Sequence, residues 1–241
     1  MVRTTHWMCR FRLGPRLLAV ALLAGPLAAA PAGHTLAETL AKMDEAAAHF
    51  KSFGASMRHL SHFDAIHEED TESGVVQMKR VKPKELHVRL DLDKPEQKVI
   101  VTNGSKVEIY YPRSGQVDRY ELGHKRSLVD MFMAQGFGGT SADLARDYTV
   151  TLGGPDSVEG ESATRVELIP KSQVMLEEYQ KVYLWISDKS GYTVQQKFYE
   201  KNGKDYHVIT YTNVKINPEI SESSFKLDVP KGTQRETVLK K

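Results

Sequence analysis

The chain has 241 residues, with 33 Lys+Arg, 31 Asp+Glu and one cysteine, for a formal net charge of +2. That balance excludes the basic footprint of a nucleic-acid binder, and one cysteine excludes a disulfide scaffold. The length is ample for burying a core of its own.

The first residues read as an address. Arg3, Arg10, Arg12 and Arg16 make a positive start with no acid, and an apolar run over 17–30 follows. That run has the length of a secretory signal and is short for a membrane span. Ala30-Pro31-Ala32 fits a small-x-small cleavage site, which predicts a cleaved signal peptide over 1–32 and Gly33 as first mature residue. Cleavage removes four of the 33 basic residues and none of the 31 acidic ones, so the mature charge is 29 minus 31, or −2. Cys9 precedes the apolar run, so it is not a lipid-bearing cysteine at the cut. Residues 33–241 hold no cysteine and no second stretch apolar enough for a membrane anchor, and are expected to form one domain.

Thr35 and Glu38 form a capping box ahead of a helix. Its stripe of Leu36, Leu40, Met43, Ala47 and Phe50 has helical period and must dock on something apolar. Strands are expected over 55–63 and 74–81, with an acidic turn at Glu68-Glu69-Asp70 between them. Pro83 ends the second, since proline cannot donate to a ladder. Leu86, Val88 and Leu90 alternate with His87, Arg89 and Asp91 on a third. Asn103-Gly104 then predicts a tight hairpin turn. Its two arms carry Val99 and Val101, then Val107, Ile109 and Tyr111. We expect Val99, Val101, Ile109 and, further on, Leu184 to share one apolar wall. A strand over 116–122 follows.

The middle of the chain differs. Over 127–137, Leu128, Val129, Met131, Phe132, Met133 and Phe137 would cover most of a helix circumference, so this helix should be buried on more than one side. Gly136, Gly138 and Gly139 suggest a flexible exit, and the pair of features suggests a lid; a fixed core helix with a glycine cap is the other reading. Ser141 can cap a short helix over 142–146. Strands resume over 148–152, 164–169, 182–186, 193–199, 206–211 and 225–229. Strands in such number, joined by short turns, make a mainly β antiparallel sheet that must curl.

The chemistry-bearing residues do not converge. His59 and His62 lie three apart on a strand and so face opposite ways, which forbids a shared metal. His67 and Glu69 have matching parity but make only two ligands. There is no Gly-x-Ser-x-Gly elbow, and Gly136-Phe-Gly-Gly139 lacks the lysine of a phosphate loop. Nothing in the residues asks for catalysis, a metal or a cofactor.

Four segments stand in a familiar order: Lys82-Pro83, Val99-Ile-Val-Thr-Asn-Gly-Ser-Lys-Val-Glu-Ile-Tyr-Tyr-Pro112, Leu168-Ile-Pro-Lys171 and Phe225-Lys-Leu-Asp-Val-Pro-Lys-Gly232. Together they resemble LolA, the family of periplasmic carriers of outer-membrane lipoproteins. The resemblance implies an unclosed antiparallel half-barrel of about eleven strands with helices over its concave face. It implies an apolar interior that takes acyl chains, lined by Leu86, Val88, Leu90, Val99, Val101, Ile109, Tyr111, Leu184 and Ile186, with Leu128, Phe132 and Phe137 from the lid. Lys82 stands where the family has a latching arginine, and a lysine offers no bidentate fork. Glu108 stands where the family often has tryptophan. The partners implied are lipidated proteins, an inner-membrane lipoprotein-releasing transporter and an outer-membrane acceptor, met by a monomer in the periplasm. A carrier or sensor of another lipid is the alternative on the same fold, and a periplasmic hydrolase a weaker one.

Overall fold

The computed structural model describes residues 34–82, 85–104, 106–121 and 136–237. Gly33–Lys241 form one compact unit. Helix α1 (Leu36–His49) opens it, and Thr35 and Glu38 close the expected capping box reciprocally. Six strands follow: β1 (Ser52–Phe63), β2 (Glu68–Lys82), β3 (Glu85–Lys94), β4 (Lys98–Asn103), β5 (Lys106–Tyr111) and β6 (Gln116–Glu121). Helix α2 (Ser141–Asp147), capped by Thr140 with Asp143 and not by Ser141 as expected, leads into β7 (Tyr148–Val158) and β8 (Glu161–Pro170). A single helical turn, α3 (Gln173–Leu176), precedes β9 (Tyr179–Ser187), β10 (Thr193–Glu200), β11 (Tyr206–Ile216) and β12 (Gln234–Thr237). The 127–137 helix falls outside the described residues except for its last two positions.

The twelve strands make one unclosed sheet in the order β12-β6-β5-β4-β3-β2-β1-β11-β10-β9-β8-β7. It consists of two antiparallel meanders, β1–β6 and β7–β11, joined by one long seam where β1 pairs with β11. This is the half-barrel architecture, with one departure: β12 lies parallel to β6, so the sheet is not antiparallel throughout.

Three expectations need correction. Glu68, Glu69 and Asp70 already belong to β2, and the turn is at 64–67. The 225–229 segment is not a strand. A 3-10 turn over Glu222–Phe225 ends there, and the chain beyond lies across the sheet rather than in it. The hairpin loop is shifted by one: Asn103 pairs with Lys106, so the two loop residues are 104 and 105 rather than Asn103 and Gly104.

α1 defines an inner face. Its Met43, with Leu36 and Leu40 beside it, packs on Val166, Leu168, Val182, Leu184, Ile186 and Phe198 from β8–β10. Its Ala46, and Phe50 just past its end, pack on Phe53, Ala55, Val76, Met78 and Leu86 from β1–β3. One amphipathic helix thus bridges both meanders over the seam. The outer face has its own cover. Phe225, 1% exposed, sits with Ile220, Val99, Val101 and Leu227. Arg89 donates to the Ser224 carbonyl at 3.0 Å, and the Asn103 amide donates to that of Phe225, also at 3.0 Å. Phe225→Ala should therefore lower the unfolding free energy by about 3–5 kcal/mol in a urea titration; a loss under about 1 kcal/mol would show that the strap adds little.

Candidate functional site

The inner face is the candidate site. Register fixes who shares it. Ala55 opposes Val76, Val76 opposes Leu90, Leu90 opposes Ile100, and Ile100 opposes Ile109. Opposed residues in a ladder point the same way, so this row crosses five strands on the α1 side. Leu86 and Val88 are buried on that face, with Leu90 partly so. Ile109 and Tyr111 share it and are half-buried. Leu184 and Ile186 lie on it in the second meander, at 0% and 1% exposure.

Val99 and Val101 do not. They oppose Asp91 and Arg89 and point to the outer face, under the C-terminal strap. The apolar run of β4 is buried on both sides, so alternation alone did not identify its inner residue, which is Ile100. Leu128 and Phe132 lie outside the described residues.

Phe137 is fully buried at the centre of the face. Its ring packs edge-on against Phe53 at 4.7 Å and Tyr211 at 5.2 Å. Burial alone pushes the Tyr211 phenol far above its ordinary pKa, so it stays neutral. The glycines around Phe137 are fixed rather than loose. Gly136 and Gly138 hold φ of 96° and 95°. A Cβ on Gly136 would stand 2.1 Å from Thr193 Oγ1, and one on Gly138 would stand 2.1 Å from an Arg80 nitrogen. These positions need glycine for conformation and for close approach.

Arg80 occupies the place where a latch was expected at Lys82. Its Nη2 donates to the Gly138 carbonyl at 3.0 Å and to the Ala47 carbonyl, near the end of α1, at 3.3 Å. Its guanidinium also lies over the Phe50 ring, 5.3 Å from the centroid. Lys82 is exposed and pairs with Glu85 at 3.2 Å. The sequence did carry the signal. Val76, Met78 and Arg80 share one strand face, and an arginine following two core residues on that face must meet buried acceptors. α1 has further polar fastenings. Asp44 accepts from the Ser141 amide and hydroxyl, both at 2.6 Å. Tyr192 Oη donates to the Ala46 carbonyl at 3.0 Å, and Asn217 Nδ2 to that of His49 at 2.9 Å.

The inner face turns polar at the end remote from α1's last turn. Glu72 accepts from Lys98 at 2.5 Å and approaches His59 Nδ1 at 3.4 Å. His59 and His207 lie 5.4 Å apart between ring centroids. His207 Nε2 is 2.8 Å from Glu200, and its Nδ1 is 3.0 Å from the Ser61 hydroxyl. Burial lowers the His59 pKa, against the opposing pull of Glu72. Burial works to raise Glu72, but Lys98 and His59 outweigh it and its carboxyl falls below the ordinary value. His62 faces the other way, beside Glu69 at 3.2 Å and stacked on Tyr206, as its spacing from His59 requires.

A family model described as an uncharacterized protein matches residues 96–238, which is 143 of the 241 residues. The chain belongs to that family. Among solved structures, MucB is similar: 15% identity, a TM-score of 0.50, and coverage of 80% of this chain and 62% of that one. An uncharacterized conserved protein from Thermus thermophilus is 13% identical at a TM-score of 0.52, over 84% of this chain and 98% of that one. A LolA superfamily protein from Nitrosomonas europaea is a more distant likeness, 18% identical at a TM-score of 0.39, over 80% and 98% of the two chains. The chain spans about three-fifths of the length of the MucB structure it matches. These likenesses bear on the fold. No curated protein matches significantly. Among the described residues, no helix is long and apolar enough to cross a membrane.

If Arg80 is the fastening, Arg80→Met should lower the melting temperature by several degrees and speed hydrogen exchange at the Gly138 and Gly139 amides. Lys82→Ala should leave both within error, as an exposed ion pair contributes little. Equal effects of the two substitutions would refute the assignment.

Proposed function

We propose that the protein is an exported carrier that holds the acyl chains of lipidated proteins against the inner face of its half-barrel and moves them from the inner to the outer membrane. One observation carries this reading. The inner face carries one apolar cluster in each meander, and α1 covers both with Met43, Ala46 and Phe50, while Phe137 inserts beside it and Arg80 ties the two together. Acyl chains entering there would replace the apolar contacts of Phe137 with their own. The role is binding rather than catalysis. The export reading of residues 1–32 puts the carrier in the periplasm. A transporter that releases lipoproteins and an acceptor that receives them are the partners such a carrier requires. The half-exposed Leu90, Ile100, Ile109 and Tyr111 mark where chains would first make contact.

Two measurements test this. Ile109→Asp should weaken binding of a fluorescent fatty-acyl probe about tenfold or more, since a carboxylate on an apolar wall must be desolvated or displace the chain. Val101→Ala, on the opposite face, should lower stability and leave probe affinity unchanged. An affinity loss at Val101 without one at Ile109 would place binding on the wrong side of the sheet for this function. Mass spectrometry of the chain recovered from the periplasm should find Gly33 at its N-terminus; an uncleaved, membrane-held chain would overturn the soluble-carrier reading.

A further inference from the structure

We propose that the polar end of the inner face is a head-group site for a lipid bearing both a phosphate and an ammonium, a zwitterionic phospholipid head. This rests on the acyl-binding face of the carrier reading and departs from it on the cargo: the occupant is a phospholipid, where that reading has a lipidated protein, whose acyl anchor carries no phosphate.

The inner face changes character along strand after strand. On β1, Phe53, Ala55 and Met57 give way to His59 and Ser61. On β2, Met78 and Val76 give way to Glu72. On β10, Phe198 gives way to Glu200, and on β11, Tyr211 and Ile209 give way to His207. On β4, Ile100 gives way to Lys98. The polar groups are not a solvated fringe. The side chains of His59, Glu72, Lys98 and His207 are 25%, 28%, 23% and 26% exposed. Partly buried ion pairs add little stability compared with apolar residues of the same size. A sheet that needed only to hold acyl chains would be better served by continuing the apolar pattern.

The dimensions fit one amphiphile. Phe53 to His59 is six residues, about 20 Å at 3.3 Å each. One leaflet of a bilayer is about 15 Å of hydrocarbon. An acyl chain whose end reaches the Phe53–Phe137 pair therefore stops about 5 Å short of His59 and Glu72, a gap that its head fills. The chemistry there carries both signs. Lys98 can donate to a phosphate, while Glu72 and Glu200 can accept from an ammonium; the ring N–H groups of His59 and His207 are turned to those two carboxylates and hold them in place. A purely anionic head would meet two carboxylates. A fatty acid would leave most of the row unmatched.

The test displaces a fluorescent fatty-acyl probe with three ligands of equal chain length: a single-chain phosphoethanolamine lipid, a single-chain phosphoglycerol lipid and the free fatty acid. The zwitterion should compete at least about tenfold more strongly than either of the others, which corresponds to about 1.4 kcal/mol. The double substitution E72Q/K98M removes both members of the pair without leaving an orphan charge. It should abolish that preference, so that the three ligands compete equally for the probe's place. Glu200→Gln, at the other end of the row, is the second variant should the first not fold, and it should narrow the preference in the same direction. A flat ranking of the three ligands, a preference for the phosphoglycerol head, or a preference that survives these substitutions would overturn the head-group site while leaving the carrier reading intact. Failure of the acyl probe itself to bind would overturn both.

Discussion

The constraint on which the rest depends is the cover of a very wide sheet. Twelve strands at about 4.8 Å spacing make an arc of about 53 Å. The helix over it has 14 residues and is about 21 Å long. α1 therefore cannot cover the inner face, and its placement has to be economical. It lies across the β1–β11 seam, where its first half serves the β8–β10 core and its end serves the β1–β3 core. Moved to either side, it would leave one meander with no cover from the helix. The sheet curls because it is this broad, and the curl in turn lets a short helix touch both halves.

Beside its apolar contacts, the end of α1 is fastened by hydrogen bonds, buried at Tyr192 and part-buried at Arg80. The carbonyls of its last turn have no partners within the helix. Here Arg80, Tyr192 and Asn217 supply donors to Ala47, Ala46 and His49 from three different parts of the sheet. Arg80 also reads the Gly138 carbonyl, so the helix end and the chain carrying Phe137 share one guanidinium. Both bonds come from Nη2, and the guanidinium also lies over the Phe50 ring, 5.3 Å from its centroid, a flat contact that a lysine ammonium does not reproduce. The apolar contacts decide where the cover sits. The hydrogen bonds decide its register, and they can be broken without exposing much apolar surface.

Much of this was legible in the chain. The capping box, the helix stripe, the mainly β meander and the opposite facing of His59 and His62 all follow from spacing. The failures have physical causes. Lys98-Val-Ile-Val-Thr is apolar on both faces because one is covered by the inner core and the other by the strap around Phe225, so its alternation carries no direction. The loop length did carry one. A two-residue loop pairs an odd-numbered residue with an even-numbered one, as Asn103 with Lys106, and so puts Ile100, not Val101, beside Ile109. The strap was read as a strand because Phe225-Lys-Leu-Asp-Val alternates; its apolar residues alternate against a sheet's outer face instead of within a sheet. The glycines near Phe137 suggested freedom, but glycine also marks close approach, and the positions of Thr193 beside Gly136 and Arg80 beside Gly138 distinguish the two.

The energetics of exchange set how such a cover can work. Fully burying a phenylalanine side chain is worth about 1.5–3 kcal/mol, and each buried methylene about 0.8 kcal/mol. Withdrawing Phe137 from between Phe53 and Tyr211 is then offset by about four methylenes taking its place. A single acyl chain of leaflet length has several times that number, so the aromatic plug is no barrier to occupancy even after the rim hydrogen bonds exchange to water. It does keep the empty face from standing open to solvent, where Phe53, Met78 and Leu86 would be an aggregation hazard. The closed state lowers apparent affinity in proportion to its population, and that reduction is useful to a carrier, because cargo held with the full energy of its chains would not be given up. On the carrier reading proposed above, Phe137 fills the space the chains need, and Arg80, through the Gly138 carbonyl, holds it filled.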